Sequence, residues 1–220
     1  MTVLGVKGSI CKVIHNSVDI ANVENLSKEE LVFTLGDDRN PTMLCAIGSF
    51  SPVKDRSTLV KAFALVRKKI PCYLFLLGEG EEREKLERLA RALDVDKYIL
   101  MPGFDTNPFR WLAKADVFIS SSLIEGCPNV IQQALALGVR IVATDCPGGT
   151  AEILENGKWG RLVPMGDSRA MAEAIISTLS DKSLPDGRLR AIDFEPRRVA
   201  RAYLKLIFPE FVPQEIACSD

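Results

Sequence analysis

In EGCPNVIQQALALG, residues 125 to 138, a single carboxylate precedes a turn and an apolar helix bearing two adjacent amides, Gln132 and Gln133. Pro128 suits the first turn of that helix, where its missing N–H costs nothing. The free backbone amides of Asn129 and Val130, with the positive end of the helix dipole, then form an anion site suited to a phosphate. Glu125 sits at the same mouth, where a carboxylate accepts hydrogen bonds from sugar hydroxyls. Gln133, about one turn in from Pro128, reaches towards that mouth or is a partly exposed helix amide. Lys54, closing SFSPVK (49 to 54), would neutralise a diphosphate or stand as a solvated lysine. The loop with Glu125 and Pro128 reads equally as a solvated strand-to-helix turn, and spacing alone leaves all three pairs of readings open.

Such residues meet only if a scaffold turns their loops to one side. Short apolar runs recur at 42 to 50, 73 to 78, 98 to 103, 116 to 122, 140 to 144 and 160 to 164. Amphipathic stretches lie between them; in one, Leu86, Leu89, Ala90 and Leu93 share a helical face. Strands alternating with helices over short links imply right-handed crossovers and a doubly wound, Rossmann-like parallel sheet, an α/β fold. Ligands bind such sheets beyond the carboxyl ends of the strands. The loops expected there are SFSPVK, GEGEER, PGFDTNP, SSLIEGCPN and TDCPGGT. The organisation expected is a leading and linker segment over 1–41, the sheet domain over 42–184, and a helix with a tail over 185–220.

The totals remove several function classes. A net charge of -1 in 220 residues, with no cluster of lysine or arginine, gives no nucleic-acid footprint. The six cysteines, Cys11, Cys45, Cys72, Cys127, Cys146 and Cys218, contain no C-x-x-C pair and are expected to be reduced thiols of a cytoplasmic protein. No segment has the ~20 apolar residues of a membrane span, so at most peripheral membrane association is expected. Arg83 stands where a dinucleotide fingerprint needs its third glycine, which weakens a nicotinamide reading. The D-x-D of Asp94 and Asp96 falls on the edge away from the ligand loops, and no metal is expected there. His15 is the lone histidine and there is no G-x-S-x-G elbow, which leaves nucleophilic catalysis poorly supported.

Together, GSFSPVKD (48 to 55), LFLLGEGEEREKL (74 to 86), ADVFISSSLIEGCPNVIQQALALGVRIVATDCPGG (115 to 149) and NGKWGRLVPMGD (156 to 167) resemble one family. It is the carboxyl-terminal, donor-binding half of retaining GT-B glycosyltransferases, in the large bacterial family four of glycosyl transferases group 1. The resemblance runs over roughly residues 12 to 208. It implies transfer of a sugar, a hexosyl group, from a nucleoside diphosphate sugar to a hydroxyl acceptor with retention, without a metal or other cofactor. UDP-sugars are the favoured donors and polysaccharide biosynthesis the expected setting.

The resemblance also implies roles. Lys54 matches a lysine that contacts the donor diphosphate, and Ser49 falls where the family has an arginine. Glu125 matches the first of a pair of glutamates and is assigned to the donor sugar; the second falls on Gln133, assigned to the ribose. Gly126, Cys127, Pro128, Asn129 and Val130 complete the donor site, and by loop position Pro102, Gly103 and Phe104 are expected to border the base. An acceptor-binding domain or subunit is expected outside this chain, which by itself would be inactive. The alternative is a non-catalytic nucleotide-binding or interaction domain, favoured by Ser49 and Gln133.

Overall fold

The computed structural model describes residues 12–33, 41–181 and 183–209. After a lead-in helix α1 (Ile20–Ser27), strands and helices alternate in the order β1 (Thr42–Ile47), α2 (Arg56–Arg67), β2 (Cys72–Leu77), α3 (Arg83–Ala92), β3 (Ile99–Gly103), α4 (Phe109–Leu112) and β4 (Val117–Ser120). The chain continues through α5 (Asn129–Ala136), β5 (Arg140–Thr144), α6 (Thr150–Ile153), β6 (Arg161–Val163) and α7 (Ser168–Ser180), and closes with α8 (Arg188–Ala191) and α9 (Pro196–Ile207). The strands fall within or beside the apolar runs that predict them.

All strand pairs are parallel, in the order β3-β2-β1-β4-β5-β6. The expected doubly wound, Rossmann-like sheet is therefore present. Its order reverses between β1 and β4, and the crevice beyond that junction is where such sheets take ligands.

The pleat divides each strand between two cores. Leu44, Ala46, Leu74, Leu76, Val117, Ile119 and Val142 face α2 and α7, packing with Phe63, Met171 and Ile175. Cys45, Phe75, Leu77, Phe118, Ile141 and Ala143 face the other way, with Trp111, Ile131, Leu135 and Phe194. Burial on both faces explains why the strands read as continuous apolar runs rather than alternating ones. Aspartates start three of the helices: Asp19, Asp55 and Asp167 each accept a backbone N–H of the first turn, as N-caps do.

Two features lie outside what periodicity shows. Helix α1 is only eight residues long, too short for its pattern to stand out, and packs against α4 and α5. Helix α9 buries none of its residues, and Tyr203, Leu204, Leu206 and Ile207 are all about half exposed.

Candidate functional site

Lys54 ends a short 3-10 turn (Pro52–Lys54) that follows β1, and Glu125 lies in the loop after β4. These strands are the neighbours flanking the reversal of the sheet, so their loops close on each other. Lys54 Nζ stands 2.6 Å from Glu125 Oε1, with 26% of the lysine side chain and 12% of the carboxylate side chain exposed. Ser122 Oγ donates to the same Oε1 at 2.6 Å. Beneath the pair the backbones are stitched: Ser121 Oγ donates to the Lys54 carbonyl at 2.7 Å and Leu123 N–H to the Val53 carbonyl at 2.8 Å. Thr144 Oγ1, at the end of β5, donates to the Ser122 carbonyl at 2.5 Å.

The loop after β5 fixes the carboxylate from the other side. Glu125 N–H donates to the Pro147 carbonyl at 3.1 Å and Gly149 N–H to the Gly126 carbonyl at 2.9 Å. Gly148 lies between them at φ +117°, and a Cβ there would stand 1.4 Å from the Glu125 carbonyl oxygen. Only glycine permits that approach. Three loops thus hold one carboxylate rigidly, facing one lysine.

Helix α5 starts next to this pair. Pro128 is the residue before the helix, at ψ 89°, rather than part of its first turn as the sequence predicts. The correction is one position, because an extended ψ keeps Pro128 outside the helix while its carbonyl still accepts from Ile131 N–H at 2.9 Å. Asn129 and Val130 open the helix, so helical geometry leaves their amides free of intrahelical acceptors. Gly126 is exposed and Cys127 and Val130 are partly buried in the same stretch. Gln133, with Asn129 and Gln132, lines a cavity of about 150 Å³ against Ser17, Asp19 and Asn22 of the lead-in segment.

A larger cavity, about 340 Å³, opens beyond β1, β2 and β3 and is lined by Gly48, Ser49, Gly78, Glu79, Phe104 and Pro108 among others. Phe104 offers an exposed aromatic face. Pro102 and Gly103 belong to the end of β3 instead, where the Gly103 carbonyl accepts Gly78 N–H at 3.0 Å. Asp105 braces the cavity wall, accepting from Trp111 Nε1 at 2.7 Å, Arg110 Nη2 at 2.9 Å and Asn107 N–H at 2.8 Å. Burial alone would raise its pKa, but these donors together hold the carboxyl below the usual carboxylate range. Arg83, where a dinucleotide motif would need glycine, ties Glu79 and Glu87 to the Met101 carbonyl at 2.6, 3.0 and 2.9 Å.

The residues expected to form one donor site therefore occupy three adjoining places. Lys54, Glu125 and the start of α5 meet at the crevice, Ser49 and Phe104 line the larger cavity, and Gln133 lines the smaller one.

The sequence gives no sign of Arg56, which lies in an amphipathic helix where a charged residue reads as solvent-facing. Its side chain is instead buried, 2% exposed, with Nη2 donating to the Ile47 carbonyl at 2.8 Å. Burial lowers its pKa to about 10, against the opposing pull of Glu125 and Cys45. Ser121, Ser122 and Gly148 were likewise legible only as loop composition.

Cys45, Cys72, Cys127 and Cys146 are free thiols, while Cys11 and Cys218 lie outside the described residues. Burial pushes the Cys45 thiol up strongly and the Cys72 thiol up to about 11, so neither is a nucleophile at neutral pH. Among the described residues, no helix is long and apolar enough to cross a membrane.

Comparison with known proteins gives this geometry a family. The model for glycosyl transferases group 1 matches residues 41–181. LpsE of Rhizobium meliloti, named a lipopolysaccharide core biosynthesis glycosyltransferase, is 34% identical over 177 residues, 75% of this chain and 49% of that protein. A Campylobacter jejuni protein is 27% identical over 202 residues, 90% of this chain and 53% of its own length. Its name is N-acetylgalactosamine-N,N'-diacetylbacillosaminyl-diphospho-undecaprenol 4-alpha-N-acetylgalactosaminyltransferase. Among solved structures, HepE of Anabaena in complex with UDP superposes with a TM-score of 0.77 at 22% identity, over 91% of this chain and 58% of that one. The chain thus spans about half the length of the curated relatives it matches.

Proposed function

The chain belongs to the glycosyl transferases group 1 family, and on that premise we propose that it binds a UDP-sugar and takes part in transferring its hexosyl group to a hydroxyl acceptor with retention. The observation that carries this reading is the Lys54–Glu125 pair, 2.6 Å apart at the crevice where the sheet order reverses, beside the free amides of α5. A cation, a helix N-terminus and a fixed carboxylate are the groups needed to hold a diphosphate and the sugar attached to it.

In the proposed reaction the bond from the anomeric carbon to the β-phosphate oxygen breaks and a bond from the acceptor oxygen to that carbon forms. The acceptor proton leaves with the diphosphate. Negative charge grows on the leaving diphosphate, where Lys54 Nζ and the Asn129 and Val130 amides meet it with little reorganisation. No metal is required in this scheme. Glu125, released from Lys54 by the incoming phosphate, accepts from a donor-sugar hydroxyl and fixes the ring. Gly126, Cys127 and Pro128 shape the approach to the amides. The base occupies the cavity beside Phe104, with Ser49 at its edge and Pro102 and Gly103 setting the loop behind it. Gln133 receives the ribose.

Acceptor recognition is assigned to a second domain or subunit that closes the crevice, and the setting to the cytoplasm, where nucleotide sugars are made available. Support for a two-part enzyme comes from the chain's coverage of about half of its curated relatives. The second reading, a nucleotide-binding or interaction module without catalysis, draws on the place of Gln133 in a separate cavity with Asp19. Melting the full chain with millimolar UDP, GDP and ADP tests the first reading. A shift with UDP above the other two supports it, and no shift with any of them contradicts it.

A further inference from the structure

Arg56 is a buried cation without a carboxylate in ion-pair reach among the described residues. Its Nη2 is held by the Ile47 carbonyl, the last of β1, and its Nε has no hydrogen-bond partner. Burying a charge in this way is costly unless something nearby compensates. The place of the guanidinium suggests what that is. A Cβ built on Gly48 would lie 3.0 Å from Arg56 Nη2 and 3.8 Å from Lys54 Cε, so both cationic side chains press on the same point of the loop after β1. Gly48 also lines the larger cavity.

At this junction Lys54 and Arg56 contribute two positive charges and Asp55 and Glu125 two negative; the Asp55 carboxylate caps α2 at Thr58 N–H and Glu125 pairs with Lys54, so neither is in ion-pair contact with Arg56. The Arg56 guanidinium is the cation of this group without a direct counter-ion, and it is buried away from water. A diphosphate entering the crevice would compensate it, and the low dielectric there makes the attraction from behind the loop effective without direct contact.

We propose that Arg56 is a positioning residue for the donor diphosphate, supplying from beneath the loop after β1 the second cation that Ser49 does not provide. The inference rests on the proposed nucleoside diphosphate ligand. Because the guanidinium is anchored on the Ile47 carbonyl, its field is fixed before the ligand arrives.

Titration calorimetry of the full chain with UDP and with uridine tests this. Arg56→Met weakens UDP binding about tenfold while leaving uridine affinity within about twofold, and Arg56→Lys restores most of the loss. A purely structural role would move both ligands together or neither, and equal UDP affinity in wild type and Arg56→Met would overturn the proposal. Ser49→Arg in an otherwise unchanged chain decides the matter even if Arg56→Met does not fold. A gain in UDP affinity below about threefold is expected because the cation is already present, whereas a gain of about tenfold or more would show the place vacant and overturn it. Wild-type protein that binds uridine but gains nothing from the diphosphate of UDP also overturns it, whereas failure to bind either probe removes the functional reading itself.

Discussion

Lys54 Nζ and Glu125 Oε1, from residues 71 apart in sequence, stand 2.6 Å from each other across the junction of β1 and β4. The pair is partly buried, and among the described residues Ser122 is the other side-chain donor to the carboxylate. Removing Lys54 alone leaves Glu125 with a hydroxyl in place of a cation. A double-mutant cycle of Lys54→Met and Glu125→Gln in urea denaturation is expected to give a coupling of about 1 to 2 kcal/mol. A coupling near zero would mean that the two groups are solvated independently.

The closeness of Gly148 to the Glu125 carbonyl predicts intolerance at a position that carries no chemistry of its own. Gly148→Ala must move the loop after β5 away from Glu125, and its φ of +117° adds strain. Stability should fall by about 1 to 3 kcal/mol or more, with UDP affinity falling as the carboxylate loses its support. Thermal melts and calorimetry on the same preparation read both. A variant with unchanged melting and binding would show that the loop relaxes freely.

Asp105 links stability to pH. Its folded-state pKa is depressed, against its burial, by Trp111, Asn107 and Arg110. Its contribution is therefore complete above the unfolded carboxylate value of about 4 and is lost as pH falls through the lower folded value. Asp105→Asn should cost about 1 to 3 kcal/mol at neutral pH, and the deficit should shrink on acidification below pH about 4. Denaturation at neutral and acid pH checks it; a deficit that is constant with pH would assign the loss to shape rather than charge.

Gln133→Glu tests the ribose assignment. If Gln133 receives the ribose, a carboxylate grips the diol more strongly, and UDP affinity should rise about tenfold. If the residue serves only the cavity shared with Asp19, a second carboxylate there lowers stability and leaves UDP affinity unchanged. Calorimetry with a parallel melt separates these outcomes.

The sheet was legible because its strands are buried on both faces and its helices are amphipathic: runs such as CYLFLL and the stripe of Leu86 and Ala90 map directly onto β2 and α3. Strand order was not, since nothing in the apolar runs says that β1 sits between β2 and β4. The resemblance placed Lys54 and Glu125 at one donor site but not in contact, and local spacing left each with a solvated reading, so their ion pair appears only in the fold. Arg56 was invisible for the reverse reason. A charged residue near the start of a helix reads as exposed, and only the fold shows that this one turns inwards to the Ile47 carbonyl. Pro128 differs by one position because a proline just before a helix and one just inside it look alike in sequence.

The central claim is that the crevice between β1 and β4 holds a nucleoside diphosphate through Lys54. The most direct measurement is titration of UDP into the full chain and into Lys54→Ala. The account predicts saturable binding to one site, weakened about tenfold or more by the substitution. Equal affinity in the two proteins, or no binding by wild type at millimolar UDP, would contradict it.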